Sequence, residues 1–215
     1  MIGEILPLAV GIAVSPVPII AAILMLFSKR AGSTSTGFLM GWVTGIVAAT
    51  GLFTALSGVL DTGGEASATA SWIKIGLGVL LLLVGVWQWR GRGGTRQTPK
   101  WMAAIDDFTL VKALGLGFVL SAVNPKNLIM AASAGVIIGS AGLPVGSAVL
   151  AVAAFTVIAA CTVAVPVVGY LVAAQRMRGP LDAIKSWLET NNATVMAVLI
   201  LVIAVVLIGK GISGL

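Results

Sequence analysis

A single lysine interrupts a long apolar stretch of this 215-residue chain, within Asn124-Pro125-Lys126-Asn127. A charge at the centre of a bilayer costs about 2.5–3.5 kcal/mol on insertion scales, and proline removes a backbone donor that lipid cannot replace. An ammonium group beside two amide side chains suits an anion such as a phosphate, sulfate or carboxylate group. In a purely structural alternative, Lys126 donates to backbone carbonyls freed by Pro18 and Pro125 and fastens two broken helices together. The sequence leaves both roles open.

A second proline motif lies early in the chain and aligns with the first. Ser15-Pro16-Val17-Pro18 can be laid on Asn124-Pro125-Lys126-Asn127, with a polar residue before a proline in both. Interrupted helices of transporter repeats meet near the midplane and turn free backbone groups towards a cavity. We therefore expect a central substrate site formed by Lys126, Asn124, Asn127, Ser15 and Ser121. The residues expected to break the helices are Pro16, Pro18 and Pro125, and further hydroxyl candidates, which could equally satisfy backbone carbonyls, are Thr44, Thr50 and Ser133.

The composition predicts a polytopic helical membrane protein. Hydrophobic residues make up 59% of the chain and charged residues 9%, and the mean hydropathy is +1.11, which is too apolar for a soluble domain that must cover its surface with charge. The chain has no histidine and one cysteine, Cys161. We expect no metal, no cofactor and no internal disulfide, and we do not expect an enzyme.

Six segments have the roughly 20 largely apolar residues that a membrane span requires. They are approximately Ile5–Phe27, Gly37–Leu60, Trp72–Trp89, Lys112–Gly139, Pro144–Ala174 and Thr194–Ile212. The expected fold is an all-α integral membrane protein with six transmembrane helices, the first and fourth broken by proline. Because each half holds an odd number of spans, the halves form two inverted three-helix repeats. The expected domains are the first repeat at 1–90, a cytoplasmic linker with an interfacial helix at 91–111, and the second repeat at 112–215.

The basic residues cluster in alternate loops. Lys29 and Arg30 follow the first span, and further basic residues lie in 90–112 and 176–185. The positive-inside rule places these loops in the cytoplasm and both termini outside. The net charge of +6 is therefore a topology signal, and we expect no nucleic-acid partner.

Two short stretches have amphipathic character at helical spacing. Trp101–Phe108 and Leu181–Glu189 are expected to lie in the cytoplasmic interface as anchors, with a docking surface for a partner as the alternative. The nearby Asn192-Ala193-Thr194 has the form of a glycosylation sequon. Because it lies at the cytoplasmic mouth of the last span, we expect Thr190 or Asn191 to cap that helix instead.

The two proline motifs, the pair Lys29-Arg30 and the segment Gly37–Trp42 together resemble the actinobacterial GAP family over nearly the whole chain. That family includes the sulfolipid-addressing and glycopeptidolipid-addressing proteins of mycobacteria, and it is similar to the broader lysine-exporter (LysE) superfamily. The resemblance implies a multi-pass protein of the cytoplasmic (inner) membrane that exports or places cell-envelope glycolipids or related amphipathic molecules. It also implies a central site lined by Pro16, Pro18, Asn124, Pro125 and Lys126.

The expected function is export of an anionic lipid, a glycolipid or an amphipathic small molecule by alternating access. The alternative is a non-transporting scaffold or accessory protein for cell-envelope lipid-export machinery, which would then be a partner. Amino-acid export is less favoured, because Val17 stands where the amino-acid exporters of the wider superfamily have the glycine of Pro-Gly-Pro. Other expected partners are membrane lipids, and the glycine-rich helix faces would permit a homodimer. Electron transfer through a membrane dithiol would need a second cysteine beside Cys161.

Overall fold

The computed structural model describes residues 2–60, 68–90 and 105–213, and these residues are almost entirely helical, with no strand among them. A five-residue π-helix, Val119–Val123, connects two of the α-helices, and a short 3-10 helix, Ile105–Asp107, precedes them. The α-helices are α1 (Ile2–Ala13), α2 (Pro16–Phe27), α3 (Ala31–Leu60), α4 (Ala68–Arg90), α5 (Leu110–Phe118), α6 (Pro125–Gly139) and α7 (Val145–Ile212).

Proline divides two of the predicted spans into bent helix pairs. α1 and α2 meet at 49°, and α5 with its π-helix meets α6 at 63°. α2 begins at Pro16 and α6 begins at Pro125, a position where the missing N–H has no helical partner to lose. Both expected breaks are therefore present, at Pro16 and Pro125, whereas Pro18 lies in the first turn of α2 and does not interrupt it.

Two helices, α3 and α7, are long and apolar enough to cross a membrane, and each bent pair adds a further span if it is counted as one. This gives two to four candidate spans by length and composition, and α4 contains a shorter apolar helix, Ser71–Trp87. The outer surface is apolar as well: Val145, Val172 and Trp87 are 81%, 83% and 73% exposed. Such a surface suits lipid rather than water. The protein is a helical membrane protein.

α7 covers both of the last two predicted spans and the connection between them. The sequence predicts two separate spans in this region, Pro144–Ala174 and Thr194–Ile212, and α7 consists of two helices that meet at a kink. Ala173 has φ −145° and ψ 55°, outside the helical region, and it divides α7 into segments 145–172 and 174–212. The kink thus lies at the predicted end of the fifth span, and the connection to the sixth span is helical and belongs to the segment 174–212.

The second amphipathic stretch lies inside α7. Leu181 and Leu188 are buried, while Ile184 and Trp187 are exposed, so the expected apolar face is divided between the protein interior and the outer surface. The predicted cap near Thr190 is wrong, because the helix continues and the Thr190 hydroxyl donates to a carbonyl one turn back. The first amphipathic stretch and the linker that contains it lie mostly outside the described residues.

Close backbone packing joins α3 to α5. A Cβ atom added at Gly41 would lie 1.9 Å from the carbonyl oxygen of Leu114, and one at Gly117 would lie 2.3 Å from the carbonyl oxygen of Phe38. No real side chain tolerates such distances, so glycine at these positions allows the two helices to touch.

The N-terminal turns of α3 and α5 lie at the same end of the helix bundle. A Cβ atom added at Gly37, in the second turn of α3, would lie 2.7 Å from the carbonyl oxygen of Leu110, the first residue of α5. Arg30 precedes α3 directly and Lys112 lies in the first turn of α5. We call this end of the molecule the basic end.

Candidate functional site

Lys126, in the first turn of α6, reaches the break between α1 and α2. Its Nζ donates to the carbonyl oxygen of Gly11 at 2.8 Å and to Ser15 Oγ at 2.5 Å, and Met196 Sδ of α7 lies 3.9 Å away. Lys126 is 5% exposed and Ser15 is 2% exposed. The ammonium group is therefore enclosed where the two broken helices meet.

No acidic side chain in the described ranges forms an ion pair with Lys126. Buried charges in proteins are normally paired, because removing an ion from water costs several kcal/mol. Here a carbonyl, a hydroxyl and a thioether solvate the ammonium group, and each of them is neutral. Lys126 therefore has polar neighbours but no countercharge among the described residues.

Ser15 and Asn127 extend this contact into a chain of hydrogen bonds. Ser15 Oγ accepts from Lys126 and donates to Asn127 Oδ1 at 3.1 Å, and Asn127 Nδ2 donates to the carbonyl oxygen of Leu120 at 2.8 Å. Asn127 is 1% exposed. Two neighbouring residues of α6 thus satisfy one carbonyl in each bent pair, Lys126 in the first and Asn127 in the second.

All four terminal carbonyl groups of α1 accept a hydrogen bond, although this helix ends inside the protein. Two of the donors are backbone N–H groups just after the helix. The other two come from distant helices: Lys126 donates to Gly11, and the Thr162 hydroxyl of α7 donates to Ala13. The break is therefore stabilised by side chains that converge from α6 and α7.

Asn124 and Ser121 have local contacts instead. Asn124 Oδ1 caps α6 by accepting from the backbone N–H of Lys126 at 3.1 Å, as asparagine often does at this position. Ser121 Oγ, which is buried, donates to the carbonyls of Gly117 and Phe118 at 3.0 Å. The structure thus brings Ser15, Lys126 and Asn127 together, and it leaves these two side chains out of contact with the ammonium group.

The other hydroxyl candidates fall into two groups. Thr44 and Ser133 donate to carbonyls one turn back in their own helices, Met40 and Ile129, each at 2.8 Å. Thr50 Oγ1 is buried and has no partner among the described residues. None of the three contacts Lys126 in this conformation.

Three residues of the site do not stand out in the sequence. Gly11 contributes only its carbonyl oxygen, and any residue type carries that group. Thr162 lies in an apolar span, where threonine usually donates to its own helix, and Met196 is an ordinary filler of hydrophobic cores. The fold is what brings them to Lys126.

An apolar cavity of about 570 Å³ lies between α3, α6 and the start of α7. Its lining comes from the C-terminal half of α3, the end of α6 and the start of α7, and it includes Val47, Gly51, Ile138 and Val149. These parts of α3 and α6 lie far from the basic end, because α3 starts at that end and α6 follows α5, which also starts there. The cavity therefore occupies the opposite half of the bundle.

Comparison with known proteins identifies a family for nearly the whole chain. The family model described as Sap, sulfolipid-1-addressing protein, matches residues 5–213, which include nearly all of the first bent helix pair, the whole of the second, Lys126 and all of α7. No curated protein and no solved structure matches the chain. The chain belongs to the sulfolipid-1-addressing protein (Sap) family.

Proposed function

We propose that this protein moves an anionic lipid, a glycolipid or a related amphipathic molecule across the membrane by alternating access, and that Lys126 meets the negative headgroup. The observation that carries the proposal is an enclosed ammonium group with no acidic partner in the described residues. A charge at this depth marks a functional site by default, and an anionic headgroup would provide the missing countercharge. The description of the family, sulfolipid-1 addressing, supports a role in lipid export or addressing.

The proposed architecture has six spans in two inverted three-helix repeats in the cytoplasmic membrane, with both termini outside. The two bent pairs, each with a second helix that starts at proline, support this symmetry. The bend at Ala173 supports it too, since the segments 145–172 and 174–212 would then supply one span each. A relationship to the lysine-exporter superfamily belongs to the same proposal.

Substrate binding would compete with the contacts that close the site. Lys126 now donates to Gly11 and Ser15, and a headgroup oxygen would take the place of one or both acceptors. Loss of these bonds would release the end of α1 from α6. The conformation in which α1 is released from α6, the open conformation, would therefore bind the headgroup more tightly than the closed one. Such a difference in affinity is what a ligand needs in order to drive a conformational change. Lys126 would then fasten the helices in the closed conformation and bind the substrate in the open one.

The apolar cavity favours a lipid over a small hydrophilic anion. Its volume of about 570 Å³ and its lining of aliphatic side chains from α3, α6 and α7 suit an acyl chain, as apolar pockets with few polar groups generally do. Because the cavity lies in the half of the bundle opposite the basic end, it would hold the tail of a lipid whose headgroup has passed Lys126.

Lys126→Met tests the proposal, and Lys185→Met is the matched control. Lys185 is partly exposed and pairs with Glu189 at 3.7 Å, away from the site. We would reconstitute each protein into liposomes with fluorescent phosphatidylglycerol and follow its movement between leaflets by dithionite quenching. The wild type and Lys185→Met should exceed the protein-free rate, and Lys126→Met should not. Equal rates for the wild type and Lys126→Met would overturn the proposal and favour a scaffold.

A further inference from the structure

Asn192 carries a buried amide oxygen that accepts no hydrogen bond. Its Oδ1 atom is enclosed and has no partner within 2–60, 68–90 and 105–213. The adjacent Asn191 differs, because its Nδ2 donates to the carbonyl oxygen of Trp187 at 2.9 Å. Buried polar atoms are almost always paired in native proteins, so an exception calls for a physical explanation.

Asn192 lies one helical turn from a residue of the Lys126 site. It shares a face of α7 with Met196, four residues later and about 6 Å along the axis, and Met196 Sδ is 3.9 Å from Lys126 Nζ. Leu188 and Ile200 continue the same face and are 5% and 0% exposed. Asn192 is thus the polar position in an inward row of four residues.

The direction from Lys126 to Asn192 is towards the basic end. Two contacts give the relative direction of α6 and α7. Met196 of α7 contacts Lys126 of α6. One turn further along α6, Met130 lies beside Gly11 of α1 together with Ile203, which is later in α7 than Met196. α6 and the 174–212 segment of α7 therefore run in the same direction, away from the basic end. Because Asn192 precedes Met196, it lies between the site and the basic end.

We propose that Asn192 is a further headgroup-binding residue, whose amide oxygen accepts a hydrogen bond from a hydroxyl group of the lipid on its way between the basic end and Lys126. This inference rests on the function proposed for Lys126. An unpaired acceptor needs a donor, and a buried site built for a hydroxyl discriminates against a ligand that lacks one. The ligand class is an anionic lipid with a hydroxyl group in its headgroup.

Two lipids that carry the same single negative charge but differ in headgroup hydroxyls isolate the contribution of the hydroxyl group to binding. Phosphatidylglycerol has headgroup hydroxyls, and phosphatidylmethanol has none. Native mass spectrometry of the protein with an equimolar mixture would give the ratio of the two bound lipids. We expect the wild type to prefer phosphatidylglycerol roughly three- to tenfold, the value of one hydrogen bond. Asn192→Leu should lose this preference and still bind both lipids.

Asn191→Leu is the matched control, because the same residue type one position away is already bonded within its own helix, and it should keep the wild-type ratio. Asn192→Ala removes the amide without added bulk. If Asn192→Leu fails to fold, Asn192→Ala should show the same loss of preference for phosphatidylglycerol. A wild-type protein without preference, or an unchanged ratio in the Asn192 variants, overturns the role of Asn192. Binding of both lipids by Lys126→Met at the wild-type level would instead overturn the function proposed for Lys126.

Discussion

The hydrogen-bonded chain through Ser15 has a predictable effect on stability. Ser15→Ala removes a hydroxyl that accepts from Lys126 and donates to Asn127, and it leaves Asn127 Oδ1 buried without that donor. Each side-chain hydrogen bond between membrane helices contributes about 0.6 kcal/mol on average and up to about 1.7 kcal/mol. For two such bonds, one of them to a charged group, we expect the free energy of unfolding to fall by about 1–3 kcal/mol.

Unfolding titrations with dodecyl sulfate in mixed micelles would measure this loss. Ser133→Ala is the matched control, because Ser133 is as buried as Ser15 but donates only to a carbonyl of its own helix. Its removal should change the free energy of unfolding by less than about 0.5 kcal/mol. Equal losses in the two variants, or a Ser15→Ala protein as stable as the wild type, would refute the contribution of this chain.

Two further predictions concern the packing of the breaks and of α3, and the same titration checks both. Gly41→Ala places a Cβ atom 1.9 Å from a backbone oxygen of α5 and should cost about 1–3 kcal/mol or more by forcing the helices apart, whereas Gly51→Ala has open space; equal stability of the two variants would contradict the close approach. Thr162→Val removes the donor to the last carbonyl of α1 and should cost about 1–3 kcal/mol. Thr156→Val, which loses only a bond within its own helix, should cost less, and the reverse order would contradict the assignment.

The two helix breaks could be predicted from the sequence because proline acts locally. Pro16 and Pro125 have no N–H to donate, so each starts a helix more readily than it continues one. The importance of Lys126 could be predicted for a similar reason, since an ionisable residue in an apolar stretch needs polar company wherever the chain folds. Ser15 and Asn127, which belong to the two proline motifs, were expected near Lys126, and the three residues form one chain of hydrogen bonds.

The remaining contacts of the site depend on packing between distant helices. Nothing in the sequence connects the carbonyl of Gly11 to Lys126, or assigns Thr162 and Met196 to the break. Ser121 shows the opposite error: it lies close to the second motif in sequence, but its hydroxyl is already bonded to carbonyls of the preceding turn. Sequence proximity alone does not tell whether a hydroxyl bonds locally or across the bundle.

The bend in α7 has no local signal at the residue that forms it. Alanine is a good helix former, and the nearby Pro180 lies within the helical segment 174–212 without bending it out of the helical region. The sequence placed a span boundary at about the right position from hydropathy and basic residues. It did not predict that the connection to the sixth span, residues 175–193, would be helical.

Native mass spectrometry of the purified protein without added lipid tests the central claim, that Lys126 binds an anionic headgroup, most directly. The wild type and Lys185→Met should retain an anionic lipid from the membrane in which they were made, and its mass should be missing from Lys126→Met. Retention of the same anionic lipid by Lys126→Met at wild-type occupancy would contradict the claim.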